Sequence, residues 1–194
     1  MGAAGEGGRE AQDVVRRFRE RVCGRDSLLL EVLEGFVNKG LASLSYELAV
    51  GNDEEEAKLV TRRKLTEFLE YGGASGLSAE ERELLRMELL RMWSIIEPRA
   101  LAAAKNHVAM ARRLVERKYR DKLIGILAGY LVAEALRPHD YDWEVTYSVN
   151  RELGMEKLML RRKLSRHGLL DAMLKEYCGE GEAAHPAAAP GGPG

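Results

Sequence analysis

Apolar residues recur along most of this chain at the three- and four-residue spacing of an amphipathic helix. Residues 9 to 22 place Val14, Val15, Phe18 and Val22 on one face, and Gly24 supplies a stop. Asp26 or Ser27 caps a second helix through about Val50, with Leu29, Leu30, Leu33, Val37, Leu41, Leu44 and Leu48 along one side. Gly35 and Gly40 inside it mark close helix packing or a weak point. A third helix starts at Asn52 or Asp53, with Glu54, Glu55 and Glu56 where the backbone dipole favours negative charge, and stops at Gly72-Gly73. After the connector GGASG, Ser78 and Glu81 form a capping box for a fourth helix to about Ile96. Pro98 then suits the first turn of the next helix.

Residues 99 to 136 read as one long helix or as two with a break near Asp121. Val108, Met110, Ala111, Leu114 and Val115 occupy one side of it. Residues 123 to 136 are apolar nearly all round, the pattern of a central core helix or an oligomer seam. The only strand-like signal is an alternation over Trp143-Glu144-Val145-Thr146-Tyr147. The expected fold is therefore all-α, a helical bundle over residues 9–137 with a smaller helical module over 138–178. A disordered N-terminus over 1–8 and a disordered Gly, Ala and Pro tail over 179–194 are expected to flank them.

With 194 residues, 45% hydrophobic and 31% charged, the chain has the balance of a globular protein. No stretch has the length and composition of a signal peptide or a membrane span, and Met-Gly is followed at position six by Glu6, which does not suit acylation. Cys23 and Cys178 have no second cysteine at metal or redox spacing, so no disulfide framework is expected and a cytoplasmic address is favoured. Amides are confined to Gln12, Asn38, Asn52, Asn106 and Asn150, a bias produced by heat adaptation or by genome base composition.

The net charge of -1 conceals polarity along the chain. Residues 26 to 98 carry 8 Lys and Arg against 15 Asp and Glu, whereas residues 99 to 122 carry 8 against 2. Residues 155 to 168 carry 5 against 1. Such asymmetry suits a polyanion on one side or a basic partner on the other, and it also suits pairing within the chain. Lys105, Arg112, Arg113, Arg117 and Arg120 form a secondary basic face.

Residues 144 to 170 have the layout of a helix-turn-helix: a short helix to Leu153, Gly154 at the turn, and a second helix from about Glu156 to Arg166. Leu153, Leu160 and Leu164 would hold the two helices together, leaving cations outward to reach phosphates and guanine edges. The run Leu153-Gly154, Leu160, Arg162-Lys163-Leu164 and Gly168-Leu169 resembles the C-terminal helix-turn-helix of the Fis family and of related enhancer-binding activators. That resemblance implies that Lys157, Leu158, Arg161, Arg162 and Ser165 face DNA, with Arg166 beside them, and that Gly168 closes the helix. Asn150 and Glu156 depart from the family pattern, and no ATPase motif precedes the module.

His107, His139, His167 and His185 stand apart from one another and from the cysteines, and no phosphate loop, dinucleotide fingerprint or nucleophile elbow occurs. His139-Asp140-Tyr141-Asp142, after Pro138, reads as a helix start. No catalytic residue, metal or cofactor is expected, and the protein is not expected to be an enzyme. The leading expectation is a DNA-binding regulator or nucleoid-associated protein that acts on double-stranded DNA as a homo-oligomer, most simply a dimer. The competing expectation is a helical assembly subunit of a larger complex. Residues 106 to 130 resemble the long helix of archaeal GINS replication subunits, which implies such a role.

Overall fold

The computed structural model describes residues 6–71, 79–117, 123–136, 155–161, 163–164 and 168–183, and the described elements are all helices. They are α1 (Glu6–Cys23), α2 (Ser27–Val50), α3 (Glu54–Tyr71), α4 (Ala79–Glu116), α5 (Ile124–Leu136), α6 (155–161 and 163–164) and α7 (Leu169–Ala183). The all-α expectation holds, as a helical bundle. Helix α1 begins inside the segment read as a disordered N-terminus, and α7 continues to Ala183, inside the segment read as a tail. The GGASG connector, the Ser78 cap, the break at Asp121, the 143–147 alternation and the cluster at 139–142 lie outside the described residues. So do the first helix of the helix-turn-helix and its Gly154 turn.

Two of the expected caps are formed by side-chain oxygens that accept otherwise unpaired amides. Asp26 Oδ1 accepts from the Leu29 amide at 3.2 Å, and Asp53 Oδ1 accepts from the Glu56 amide at 2.9 Å. Helix α2 ends on Gly51, whose φ of 106° is open to glycine, and the Asn52 amide turns back to the Glu47 carbonyl at 3.0 Å. The α1–α2 corner works differently: Arg25, not Gly24, takes the left-handed conformation, at φ 57°.

Pro98 does not start a helix; it lies inside α4, which runs unbroken for 38 residues. Proline removes one backbone donor and frees the carbonyl four residues back. Here Pro98 and Ser94 are both exposed, so water can serve that carbonyl, while Trp93, Ile96 and Ala100 on the opposite side are fully buried. Packing of the buried stripe keeps the helix continuous across the proline.

Helix α2 is the centre of the molecule, touching every helix from α1 to α5 and also α7. Side-chain pairs set the directions: Ser43 with Thr61 and Phe36 with Phe68 run α3 antiparallel to α2, and Glu54 with Lys105 and Arg62 with Glu97 run α4 antiparallel to α3. Gly40 lies where a Cβ would meet the Trp93 ring at 2.5 Å, which brings α2 and α4 into close contact. Gly125 and Gly129 do the same for α5, whose Cβ atoms would meet the Ala49 carbonyl oxygen at 2.5 Å and Tyr46 at 3.0 Å. One apolar core includes Leu33, Phe36 and Leu41 of α2, Trp93 and Ile96 of α4, and Leu131 and Val132 of α5. Leu160, Leu164 and Tyr177 belong to the same core, so α6 and α7 pack into the bundle.

The cysteine expectation is overturned. Cys23 and Cys178 are bonded, with Cα atoms 5.7 Å apart across 155 residues of sequence. The bridge ties the end of α1 to α7. Sequence spacing carries no information about such a pair, because the two helices meet only through the fold.

Candidate functional site

Of the basic residues expected to meet DNA, Lys157 and Arg161 are described. Lys157 turns inward and its Nζ donates to Glu134 Oε2 of α5 at 3.2 Å, with the lysine side chain 21% exposed and the carboxylate 9%. Arg161 is exposed but is itself engaged in a contact. Arg162, Ser165 and Arg166 lie outside the described residues. Among the expected outward positions of α6, Leu158 is exposed.

The described outward face of α6 carries an apolar stripe beside the exposed Arg161 and Lys163. Met155 is 70% exposed, Leu158 44% and Met159 44%, at positions i, i+3 and i+4, which share one side of a helix. Leu160 and Leu164 on the other side are buried in the core, as the spacing predicted. The helix therefore carries two apolar stripes, one that holds it in place and one that meets solvent. The second stripe is written in the sequence as Met-Glu-Lys-Leu-Met, where the flanking charges conceal it. Only the burial of Leu160 and Leu164 shows which side faces out. Gly168, with φ 68°, separates α6 from α7.

The secondary basic face also divides. Lys105 is paired with Glu54 in the first turn of α3. Arg112 donates to the Ala49 carbonyl at 3.0 Å, satisfying an orphan acceptor at the C-terminus of α2. Arg113 and Arg117 are exposed, and Arg120 lies outside the described residues. Part of the basic segment thus neutralises the acidic half of the same chain.

Sequence reasoning missed two polar constellations. Glu97 of α4 is buried; it accepts from Arg62 Nε at 2.9 Å and Nη2 at 2.5 Å, and from Trp93 Nε1 at 3.1 Å. That carboxylate holds the Arg62 guanidinium protonated to above its ordinary range. The second surrounds the fully buried Tyr177, whose hydroxyl donates to Glu88 Oε1 at 2.6 Å while the Arg19 and Arg91 guanidinium carbons sit 4.9 and 5.3 Å from the ring centroid. Both constellations join helices through charges whose partners are already supplied.

Among the described residues, no cluster of three or more His, Cys, Asp and Glu side chains is arranged to hold a metal, and no helix is long and apolar enough to cross a membrane. No protein-family model matches the chain, and neither a curated protein nor a solved structure does.

Proposed function

We propose that this protein is an assembly subunit that docks α6 into an apolar groove, rimmed by carboxylates, on a protein partner. The observation that carries this reading is the solvent-facing stripe of Met155, Leu158 and Met159 on a helix anchored from behind by Leu160 and Leu164. Helices laid into grooves use anchors at this spacing, and methionine adapts its shape to a partner. The charge near the stripe supports the choice of rim, since Lys163 is exposed on the same helix and Arg162 and Arg166 stand beside it in the sequence. The few amides and the Cys23–Cys178 bridge together suit the cytoplasm of a heat-adapted cell, where intracellular disulfides persist.

The DNA-binding reading rests on the exposed cations Arg113, Arg117 and Lys163 together with Arg162 and Arg166, and the two readings separate cleanly. The wild type and two variants, Leu158→Asp and Leu59→Asp, are titrated against random duplex at two salt concentrations and used to retrieve partners from an extract of the protein's own cells. Leu59 is exposed on α3 and serves as the control. The assembly reading expects no gel retardation at micromolar protein in low salt, and a partner retained by wild type and Leu59→Asp but lost with Leu158→Asp. Salt-sensitive retardation that falls when Arg113 or Arg117 is replaced, and that Leu158→Asp weakens as well, would favour binding to DNA through this face instead.

A further inference from the structure

The end of α1 and α7 line an open hollow of about 510 Å³ whose wall includes both sulfur-bearing residues of the disulfide. Cys23 is exposed and Cys178 half-buried, so Cys23 is the more accessible residue of the bridge. Arg25 and Lys175 stand at the same hollow with Asp171, leaving one net positive charge beside the sulfurs. Val22 and Leu174 contribute an apolar floor. Arg25 is held at its rim by the left-handed turn that ends α1.

We propose that the Cys23–Cys178 bridge is a thiol–disulfide exchange site for a small thiol that carries carboxylates. Attack needs a thiolate, access to one sulfur and a leaving thiolate. Carboxylates docked on Arg25 and Lys175 bring the incoming thiolate to Cys23 Sγ. A new S–S bond forms there as the Cys23–Cys178 bond breaks, and Cys178 leaves as a thiolate that takes a proton from water. A second molecule of the small thiol, as its thiolate, then attacks the first one's sulfur in the mixed disulfide and expels Cys23 as a thiolate that takes a proton from water. Two small thiols are thereby oxidised to their disulfide and two electrons pass to the cysteine pair. Both cysteines end as thiols, and α1 loses its covalent tie to α7.

The test compares reduction of the oxidised full chain by 3-mercaptopropionate, 2-mercaptoethanol and 2-mercaptoethylamine, with rates expressed per thiolate. Each is measured on wild type, on Arg25→Glu/Lys175→Glu and on a remote control, Arg63→Glu/Arg113→Glu. Taking the ratio between proteins for each thiol cancels differences in thiol basicity. Reversal at the hollow is expected to slow mercaptopropionate on the order of tenfold relative to mercaptoethanol at low ionic strength, an effect erased by high salt and absent in the control. Should the reversed protein fail to fold, Arg25→Gln/Lys175→Gln carries the same comparison with a smaller expected loss. Mass mapping of the trapped first intermediate should place the small thiol on Cys23. Ratios unchanged by the substitutions, an adduct chiefly on Cys178, or a bridge that resists all three thiols until the protein unfolds would each overturn the proposal.

Discussion

Tyr177 shows how much one side chain can concentrate. Its ring is fully buried between two guanidinium groups, and its hydroxyl, donating to Glu88, links α7 to α4. Burial, and then the carboxylate beside the hydroxyl, push the phenol well above its ordinary value of 10, while Arg19 and Arg91 pull weakly the other way. An acid whose pKa is raised by folding lends stability that is complete below the unfolded value and is lost as pH rises. Unfolded tyrosine ionises near pH 10, whereas the native phenol keeps its proton. Stability should therefore fall above about pH 10, by up to about 1.4 kcal/mol per pH unit from this group. Tyr177→Phe should cost about 1–2 kcal/mol at neutral pH through the lost hydrogen bond, and should flatten the alkaline decline. Urea melts of both proteins from pH 8 to pH 11 check this, and parallel curves would sink the assignment.

At the scale of elements, small residues decide how closely helices approach. Gly125 faces the Ala49 carbonyl, and the Arg112 guanidinium that donates to that same oxygen lies 3.8 Å from where a Cβ would stand. The obstacle is backbone at the end of a buried helix, so α5 must move bodily. Gly125→Ala is expected to destabilise by about 1–3 kcal/mol despite alanine's better helix propensity, the order of an overpacked core. For a chain of this size that lowers Tm by roughly 2–12 °C. Gly179, in α7, meets nothing within 4 Å of an added Cβ, and Gly179→Ala should be neutral or stabilise by up to about 1 kcal/mol. Thermal melts of the two variants against wild type make the comparison, and equal shifts would contradict the close approach.

Across the whole molecule, the described residues of α6 and α7 contribute to the core of the bundle. Leu160, Leu164, Leu169, Met173 and Leu174 are buried in the same apolar cluster as Leu33 and Trp93. Chemical unfolding of the oxidised chain should therefore show one transition. In a Trp143→Phe background, Trp93 fluorescence reports on α2 and α4, and amide exchange in α7 reports on the C-terminal end. Coincident midpoints are expected; an α7 that opens several kcal/mol more cheaply than the Trp93 environment would instead mark an independent module.

What could be read without coordinates was the local physics. Helical periodicity, the acceptors at Asp26 and Asp53 and the buried faces through Phe18, Leu41 and Leu160 depend on neighbours within a few turns, and all reappear in the fold. Pro98 was misread because its local cost is real, but the packing that outweighs it comes from helices distant in sequence. The same reason hid the disulfide: Cys23 and Cys178 become neighbours only when α1 and α7 meet. The basic residues were legible as cations, yet whether a cation is available depends on what faces it. Lys157 finds Glu134, Lys105 finds Glu54 and Arg112 finds the end of α2, all across helix contacts. A helix's periodicity is set along its own axis, so the sequence by itself determined the elements and their buried stripes. Which charges cancel, which apolar stripe is left in solvent and which thiols are joined are contacts between axes, and only the tertiary structure decided them.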